Sequence, residues 1–103
     1  MLLRNVAHAR CGDKGNTASI AVVAYDRRDF ERLERVLTIE RVRAHFGGRV
    51  KGRVERFELP ALGAFKFVLH DALGGGVTRS LALDPHGKSL SSILLGLRLL
   101  DEE

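Results

Sequence analysis

The stretch TASIAVVAY at Thr17–Tyr25 has the strongest strand pattern in the chain, and the fold is best deduced from it. Ile20 and Val22 share one side of an extended backbone, while Ala21 and Val23 make the other side apolar as well. A strand that is apolar on both sides belongs in the middle of a sheet. The sequence therefore predicts a sheet built around this strand.

A first strand, Arg4–Ala9, and a polar link, ARCGDKGNT at Ala9–Thr17, precede the central strand. Glycines in the link allow positive φ angles and close approach of a ligand. Because they lie beside two cations, they predict a polar ligand held by main-chain N–H groups. An ordinary turn, in which Asp13 and Asn16 bond their own backbone, is the alternative. The candidate site residues in this link are Arg10, Gly12, Asp13, Lys14, Gly15 and Asn16.

Two short helices are predicted after the central strand. Asp26 is a typical N-cap, and apolar residues at helical spacing follow it, so a first helix spans Arg27–Val36. Thr38 caps a second helix, which the Gly47–Gly48 pair ends. Basic residues outnumber acidic residues in Arg27–Arg56, and the polar faces of these two helices carry much of this positive charge.

Two further elements are predicted in the middle of the chain. Val50–Leu59 has the pattern of a charged edge strand, and a change of apolar parity predicts a bulge near Glu55–Arg56. The apolar spacing over Leu62–Leu73 predicts a helix, with a strand through Phe65–Leu69 as the alternative.

A second candidate segment begins with three consecutive glycines, Gly74–Gly76, which are more than a helix stop requires. A strand over Val77–Leu83 follows and places Arg79 among apolar residues, where an arginine either pairs with a carboxylate or binds an anionic ligand. If this segment meets the polar link, Arg10, Lys14 and Arg79 form a pocket for phosphate, carboxylate or CoA pyrophosphate. The candidate site residues of this segment are Gly74, Gly75, Gly76, Thr78 and Arg79.

A turn at Asp84–Gly87 and a last helix with apolar residues from Leu90 to Leu97 complete the pattern. Leu99 and Leu100 extend the apolar stripe beyond what one core needs, which predicts a protein interface. Together these elements predict an α+β architecture, in which helices cover one mainly antiparallel sheet of about four strands.

Length and composition narrow the class of protein. With 103 residues and 45% hydrophobic content, the chain has room for one globular domain, residues 1–103. Cys11 is the lone cysteine, so no intrachain disulfide forms and a cytoplasmic location is expected. No segment has the length of a membrane span, and the four histidines lack metal-site spacing. The net charge of +4 favours an acidic partner or a CoA phosphate, whereas interspersed acids and the absence of Trp argue against nucleic acid.

Motifs in order over nearly the whole chain carry a resemblance to a known family. They are RCGDKGN at 10–16, ASIAV at 18–22, LTIERV at 37–42, RFELP at 56–60, FVL at 67–69, LGGGVTRSL at 73–81 and LDPHGK at 83–88. The chain resembles the small domain of the acyclic terpene utilisation protein AtuA family, which usually follows a larger domain and also occurs separately. The resemblance implies a ferredoxin-like α+β fold and a link to catabolism of acyl-CoA-type substrates. The family commonly has serine where this chain has Cys11.

The motifs and the resemblance together predict a small subunit or accessory domain of an AtuA-like system. It would help to bind an anionic acyl-CoA-type substrate in terpenoid or branched-acyl catabolism. A large AtuA-like protein, a second copy of the chain, or both are the expected partners, and no cofactor or metal is expected. The alternatives are a docking or oligomerisation module without a ligand, and a self-sufficient enzyme that uses Cys11 or Asp13. Whether the chain is an enzyme stays open at this point.

Overall fold

The computed structural model describes residues 1–14, 16–72 and 89–99, and these residues adopt an α+β fold. Four strands form one sheet among them, in the order β1-β2-β4-β3, and every neighbouring pair is antiparallel. The strands are β1 Ala7–Lys14, β2 Thr17–Ala24, β3 Val54–Leu59 and β4 Ala64–Leu69; the helices are α1 Phe30–Val36, α2 Ile39–Phe46 and α3 Ser89–Leu95. The predicted architecture is confirmed and is consistent with a ferredoxin-like domain.

β2 lies in the interior of the sheet, as its sequence predicts. It pairs with β1 on one side and with β4 on the other. Ala18, Ile20, Val22 and Ala24 are buried, and the side chains that alternate with them are half-buried. One side of this strand is therefore buried in the core, while the other side is only partly buried.

β1 begins later than the predicted first strand, Arg4–Ala9. Leu3–Asn5 forms a 3-10 turn, and the strand begins only at Ala7. The N-terminal residues instead contact the C-terminal part of the chain, where the Leu3 N–H donates to the Leu97 carbonyl at 2.8 Å.

The prediction of a loop over Arg10–Asn16 is wrong for most of its length. β1 continues through the polar link as far as Lys14, which lies opposite Thr17 at the start of β2. The physical reason is pairing, because every residue of β1 lies opposite a residue of β2 from Ala7 to Lys14. The main-chain hydrogen bonds of such a hairpin outweigh the low strand propensity of glycine and aspartate.

Both predicted short helices are present and have the predicted caps. The Asp26 carboxylate accepts a hydrogen bond from the Arg28 N–H at 2.9 Å, at the start of a 3-10 turn that leads into α1. Side-chain hydrogen bonds from the Arg28 guanidinium hold the pKa of Asp26 at about 2. The Thr38 hydroxyl accepts from the Arg41 N–H at 3.1 Å where α2 begins, and Gly47 ends α2 with a φ of 59°.

β4, Ala64–Leu69, lies within the segment Leu62–Leu73 for which the spacing predicts a helix, so the helix prediction is wrong there and its strand alternative is correct. Phe65, Phe67 and Leu69 alternate along β4 and are all fully buried. Because β4 pairs with a strand on each side, tertiary pairing overrides the helical spacing of its apolar residues.

β3 is an edge strand of the described sheet, as predicted, but it contains no bulge. It pairs residue by residue with β4, from Val54 opposite Leu69 to Leu59 opposite Ala64. The change of apolar parity has another cause: Phe57 and Leu59 are exposed on the side of the sheet that faces away from the core.

The helices pack on one side of the sheet and form the core with it. The Phe30 ring of α1 stacks on the Phe65 ring of β4, with 4.6 Å between the ring centroids. The main buried cluster contains the sheet residues Ile20, Val22, Phe65, Phe67 and Leu69 and the helix residues Leu33, Val36, Val42, Phe46, Leu90 and Leu94.

α3 confirms the predicted last helix, but Leu99 after it does not contribute to an exposed interface. Leu97 and Leu99 are both buried. The Leu99 N–H donates to the Met1 carbonyl at 2.8 Å, so this segment packs against the N-terminal residues. The interface predicted from Leu99 is therefore wrong, because its side chain is used within the chain.

Several predictions concern residues outside the described ranges. They are the strand Val77–Leu83, the turn Asp84–Gly87 and the contribution of Leu100. Within the described ranges, no helix is long and apolar enough to cross a membrane.

Candidate functional site

One face of the sheet carries the side chains that alternate with the core residues, and no described helix covers it; we call it the open face. Its side chains form rows across the sheet, because each residue lies opposite a partner on the next strand. From β1 through β2 and β4 to β3, the rows are His8, Val23, Ala64 and Leu59; Arg10, Ala21, Lys66 and Phe57; and Gly12, Ser19, Val68 and Glu55.

The middle row places two cations on either side of one small residue. Arg10 and Lys66 each lie opposite Ala21, and both are exposed. With a strand spacing of about 4.8 Å, their Cα atoms are roughly 10 Å apart. Neither side chain forms an ion pair within the part of the chain that the structure describes. Two long cationic side chains at this separation reach a single anion above Ala21.

Gly12 lies in an extended strand next to this row, and not in a turn. A methyl group at this position would lie 3.5 Å from the Ser19 hydroxyl oxygen, which is an ordinary contact. Its φ is not positive either. The expectation that Gly12 adopts a positive φ is therefore wrong, and its lack of a side chain leaves space on the open face.

The tip of the β1–β2 hairpin is fastened to the end of β4. The Asn16 side-chain amide donates to Asp71 Oδ1 at 2.5 Å, and the Asn16 carbonyl accepts from the Ala72 N–H at 3.1 Å. Asp71 has a φ of 53°, which is rare for a residue other than glycine. The polar link is thus held next to Ala72, the residue two positions before Gly74 in the sequence.

A charged group lies on the open face close to this hairpin tip. His70 Nε2 and Glu55 Oε2 are 2.5 Å apart, and the Arg53 Nε donates to the same oxygen at 3.3 Å. The hydrogen bond with His70, together with the Arg53 charge, holds the pKa of Glu55 below its usual value. This network neutralises the one carboxylate among the described residues of the three open-face rows.

Cys11 lies on the other side of β1, where it packs against the core and is half-buried. His8 and Arg10 point to the open face, because their positions in β1 alternate with that of Cys11. His8 instead lies near Tyr25, with 5.4 Å between the ring centroids. Cys11 therefore lies on the opposite side of β1 from His8 and Arg10, two of the residues expected to activate it as a nucleophile.

For the remaining candidate residues, the structure gives the main-chain positions of Asp13 and Lys14 only. The main chain of Asp13 lies opposite Ala18, and that of Lys14 lies opposite Thr17, at the end of β1. The other candidates lie outside the described residues, namely Gly15, Gly74, Gly75, Gly76, Thr78 and Arg79.

Lys66 and His70 were missed as site residues because their segment was predicted as a helix. In a strand, Lys66 alternates with Phe65 and Phe67 and so lies on the opposite face. The period of two in Phe65, Phe67 and Leu69 was the signal in the sequence that could have identified them.

Exposed apolar side chains cluster at one corner of the open face, near the turn between β3 and β4. Tyr25 and Leu62 are each 66% exposed, while Phe57 and Leu59 are 47% and 40% exposed. The Ala24 N–H donates to the Gly63 carbonyl at 2.9 Å, which extends the pairing of β2 and β4 by one residue towards Tyr25 and Leu62. We call these four residues, Tyr25, Phe57, Leu59 and Leu62, the apolar corner.

A second charged cluster lies on the covered side and joins β3 to α1. Arg56 donates to the Glu58 carboxylate at 2.8 Å and to the Glu34 carbonyl at 3.2 Å, and its guanidinium lies 5.2 Å from the centroid of the Phe65 ring. A hydrogen bond with Glu58 raises the pKa of Glu34. These contacts account for the cluster as a structural one. No group of three potential metal ligands occurs among residues 1–14, 16–72 and 89–99.

Comparison with known families gives one clear result. The family model described as the AtuA ferredoxin-like domain matches residues 1–100, which is essentially the whole chain. Searches of curated proteins and of solved structures find no match.

Proposed function

Since this chain belongs to the AtuA ferredoxin-like domain family, we propose that it is an accessory unit of an AtuA-like system. It helps a larger AtuA-like protein to bind an anionic acyl-CoA-type substrate of terpenoid or branched-acyl catabolism. It acts in the cytoplasm, and the larger protein provides the surface that completes the site.

The observation that carries this proposal is the pair of exposed cations Arg10 and Lys66 on either side of Ala21. Arg10 and Lys66 have no carboxylate partner among the described residues, and charge-assisted hydrogen bonds to an anion such as phosphate are stronger than neutral ones. Ala21, Gly12 and Ser19 present little bulk between and beside the two cations. A phosphate of CoA therefore meets two positive charges on an accessible surface.

The rest of the site lies around the hairpin tip. Lys14 adds a third cation, and Asp13, Gly15 and Asn16 shape the turn that presents it. Gly74–Gly76, Thr78 and Arg79 supply further N–H groups, a hydroxyl and a fourth cation. The hydrogen bond between Ala72 and Asn16 supports this part of the proposal, because Ala72 is two residues from Gly74 in the chain.

Isothermal titration calorimetry with coenzyme A and isovaleryl-CoA tests the ligand. The chain is titrated both alone and together with the larger AtuA-like protein of the same host. Arg10→Ala and Lys66→Ala are each expected to raise the Kd roughly tenfold, because one charge-assisted hydrogen bond contributes about 1.5–3 kcal/mol and solvent exposure reduces this. Arg35→Ala is the matched control, since Arg35 is exposed on α1 and distant from the open face.

Three results would contradict the proposal. They are no binding of coenzyme A or isovaleryl-CoA, equal affinity of Arg10→Ala and Arg35→Ala for these ligands, and a Kd that does not depend on the salt concentration. Phosphate recognition by exposed cations must weaken as the salt concentration rises.

A docking module without a ligand is the second candidate function, and the apolar corner favours it. Contiguous exposed apolar side chains of this kind mark interaction surfaces. The two functions differ in the effect of Arg10→Ala, because a pure docking module keeps its assembly and has no thioester affinity to lose. A self-sufficient enzyme that uses Cys11 receives no support from the position of this thiol against the core.

A further inference from the structure

We propose that the apolar corner docks a protein surface that presents apolar side chains beside aspartate or glutamate. The inference rests on the proposed function in one respect: the larger AtuA-like protein is taken to be the protein that presents this surface. The corner adjoins the proposed anion site, because Phe57 lies opposite Lys66, and it extends from there away from Arg10.

Geometry makes the apolar corner a single surface. Phe57 and Leu59 are two residues apart on β3, so their side chains point to the same face of the sheet. Leu59 lies opposite Ala64 on β4. Gly63, the residue before Ala64, accepts a hydrogen bond from the Ala24 N–H, which lies next to Tyr25 in the chain.

The four side chains of the apolar corner are exposed and do not belong to the buried core. Tyr25 follows the last residue of β2, and Leu62 lies in the 3-10 turn two residues before β4 begins. Of the six large apolar side chains that are exposed among the described residues, four belong to this corner; the other two are Met1 and Ile39. Aromatic and leucine side chains grouped in this way become favourable contacts once a partner excludes water from them.

The positive charge of Arg27 beside the apolar corner favours an acidic partner surface. Arg27 is exposed and its side chain lies against Gly63, at the edge of the corner. The neighbouring Asp26 is already bound to Arg28, and Arg27 has no ion pair within the described residues. The carboxylate of the open-face rows, Glu55, is likewise occupied by His70 and Arg53.

A second copy of this chain is a poorer occupant than an acidic partner. The chain carries a net charge of +4, so two copies repel each other. Face-to-face packing of two open faces also brings the Arg10 and Lys66 cations of both copies into one interface, where the one carboxylate of the described open-face rows, Glu55, is already paired. Charge complementarity therefore favours a partner of opposite sign.

Surface plasmon resonance with the purified larger AtuA-like protein tests the inference. Phe57→Asp and Leu62→Asp are each expected to raise the Kd roughly tenfold or more, as expected for central apolar contacts. Ile39→Asp is the matched control, because Ile39 is 37% exposed but lies on α2, away from the open face. Arg27→Glu is expected to lower the association rate at low salt. Circular dichroism confirms that each variant is folded.

The inference is overturned by a Phe57→Asp variant that binds like Ile39→Asp, or by faster association of Arg27→Glu. It is also overturned if light scattering shows that the wild-type chain alone forms a dimer that Phe57→Asp abolishes, because a second copy then occupies the corner. Failure of the proposed ligand gives a different pattern: Arg10→Ala leaves isovaleryl-CoA binding unchanged while Phe57→Asp still disrupts assembly.

Discussion

Among the glycines that the structure describes, Gly52 is the one at which an added methyl group meets the closest contacts. Its N–H donates to the His70 carbonyl at 2.9 Å, just before β3 begins. A Cβ built on Gly52 would lie 2.6 Å from the His70 carbonyl oxygen and 2.9 Å from the His70 Cβ. Carbon–oxygen contacts begin at about 3.3 Å, so the two segments must separate by roughly 0.7 Å. The hydrogen bond between Gly52 and His70 is then lost.

We expect Gly52→Ala to lower the free energy of unfolding by about 1–3 kcal/mol. Overpacking costs about 1–3 kcal/mol and the lost hydrogen bond about 1 kcal/mol, while the reduced freedom of the unfolded chain offsets about 0.4–1 kcal/mol. Urea denaturation followed by circular dichroism measures the difference.

Gly48→Ala is the matched control for this measurement. A Cβ at Gly48 meets nothing within 4 Å, and its φ is not positive. We expect it to change stability by less than about 0.5 kcal/mol. If Gly52→Ala proves as stable as Gly48→Ala, the contact between Gly52 and His70 is not as close as described and the reasoning is refuted.

Two further predictions concern the opposite faces of the sheet. Phe65→Ala is expected to lower the free energy of unfolding by about 3–5 kcal/mol because Phe65 is fully buried, whereas Phe57→Ala on the open face should change it by less than about 1 kcal/mol; similar values for both in urea denaturation would contradict the assigned faces. Because the pKa of Glu55 is lowered in the folded state, its interaction with His70 stabilises the fold above the ordinary glutamate pKa and is lost as the pH falls through the lowered value. Glu55→Gln should therefore be less stable than wild type at neutral pH and equally stable in strong acid; a stability deficit that persists in acid would contradict this assignment.

The sequence was most informative where local chemistry decides the structure. Asp26 and Thr38 cap helices through hydrogen bonds to residues two and three positions away, so the pattern alone identifies both caps. The position of β2 was also predicted correctly, because a strand that is apolar on both sides is typical of the interior of a sheet.

The candidate site was less readable because it depends on pairing between distant segments. Arg10 and Lys66 come together only through the register of β1 and β4 against β2. The helical interpretation of the segment around Lys66 concealed this pairing, since its apolar residues fit both periods. The strand character of the polar link was hidden for a similar reason, because cross-strand pairing overrides the preferences of glycine and charged residues.

The central claim is that the open face binds the partner protein and the anionic ligand. Hydroxyl-radical footprinting tests this claim most directly. The oxidation rates of exposed side chains are compared by mass spectrometry for the chain alone and for the chain with the larger AtuA-like protein and isovaleryl-CoA. We predict protection of Tyr25, Phe57, Leu59 and Leu62, and an unchanged rate at Ile39 on α2. Protection of Ile39 with unchanged rates at the apolar corner would contradict the claim.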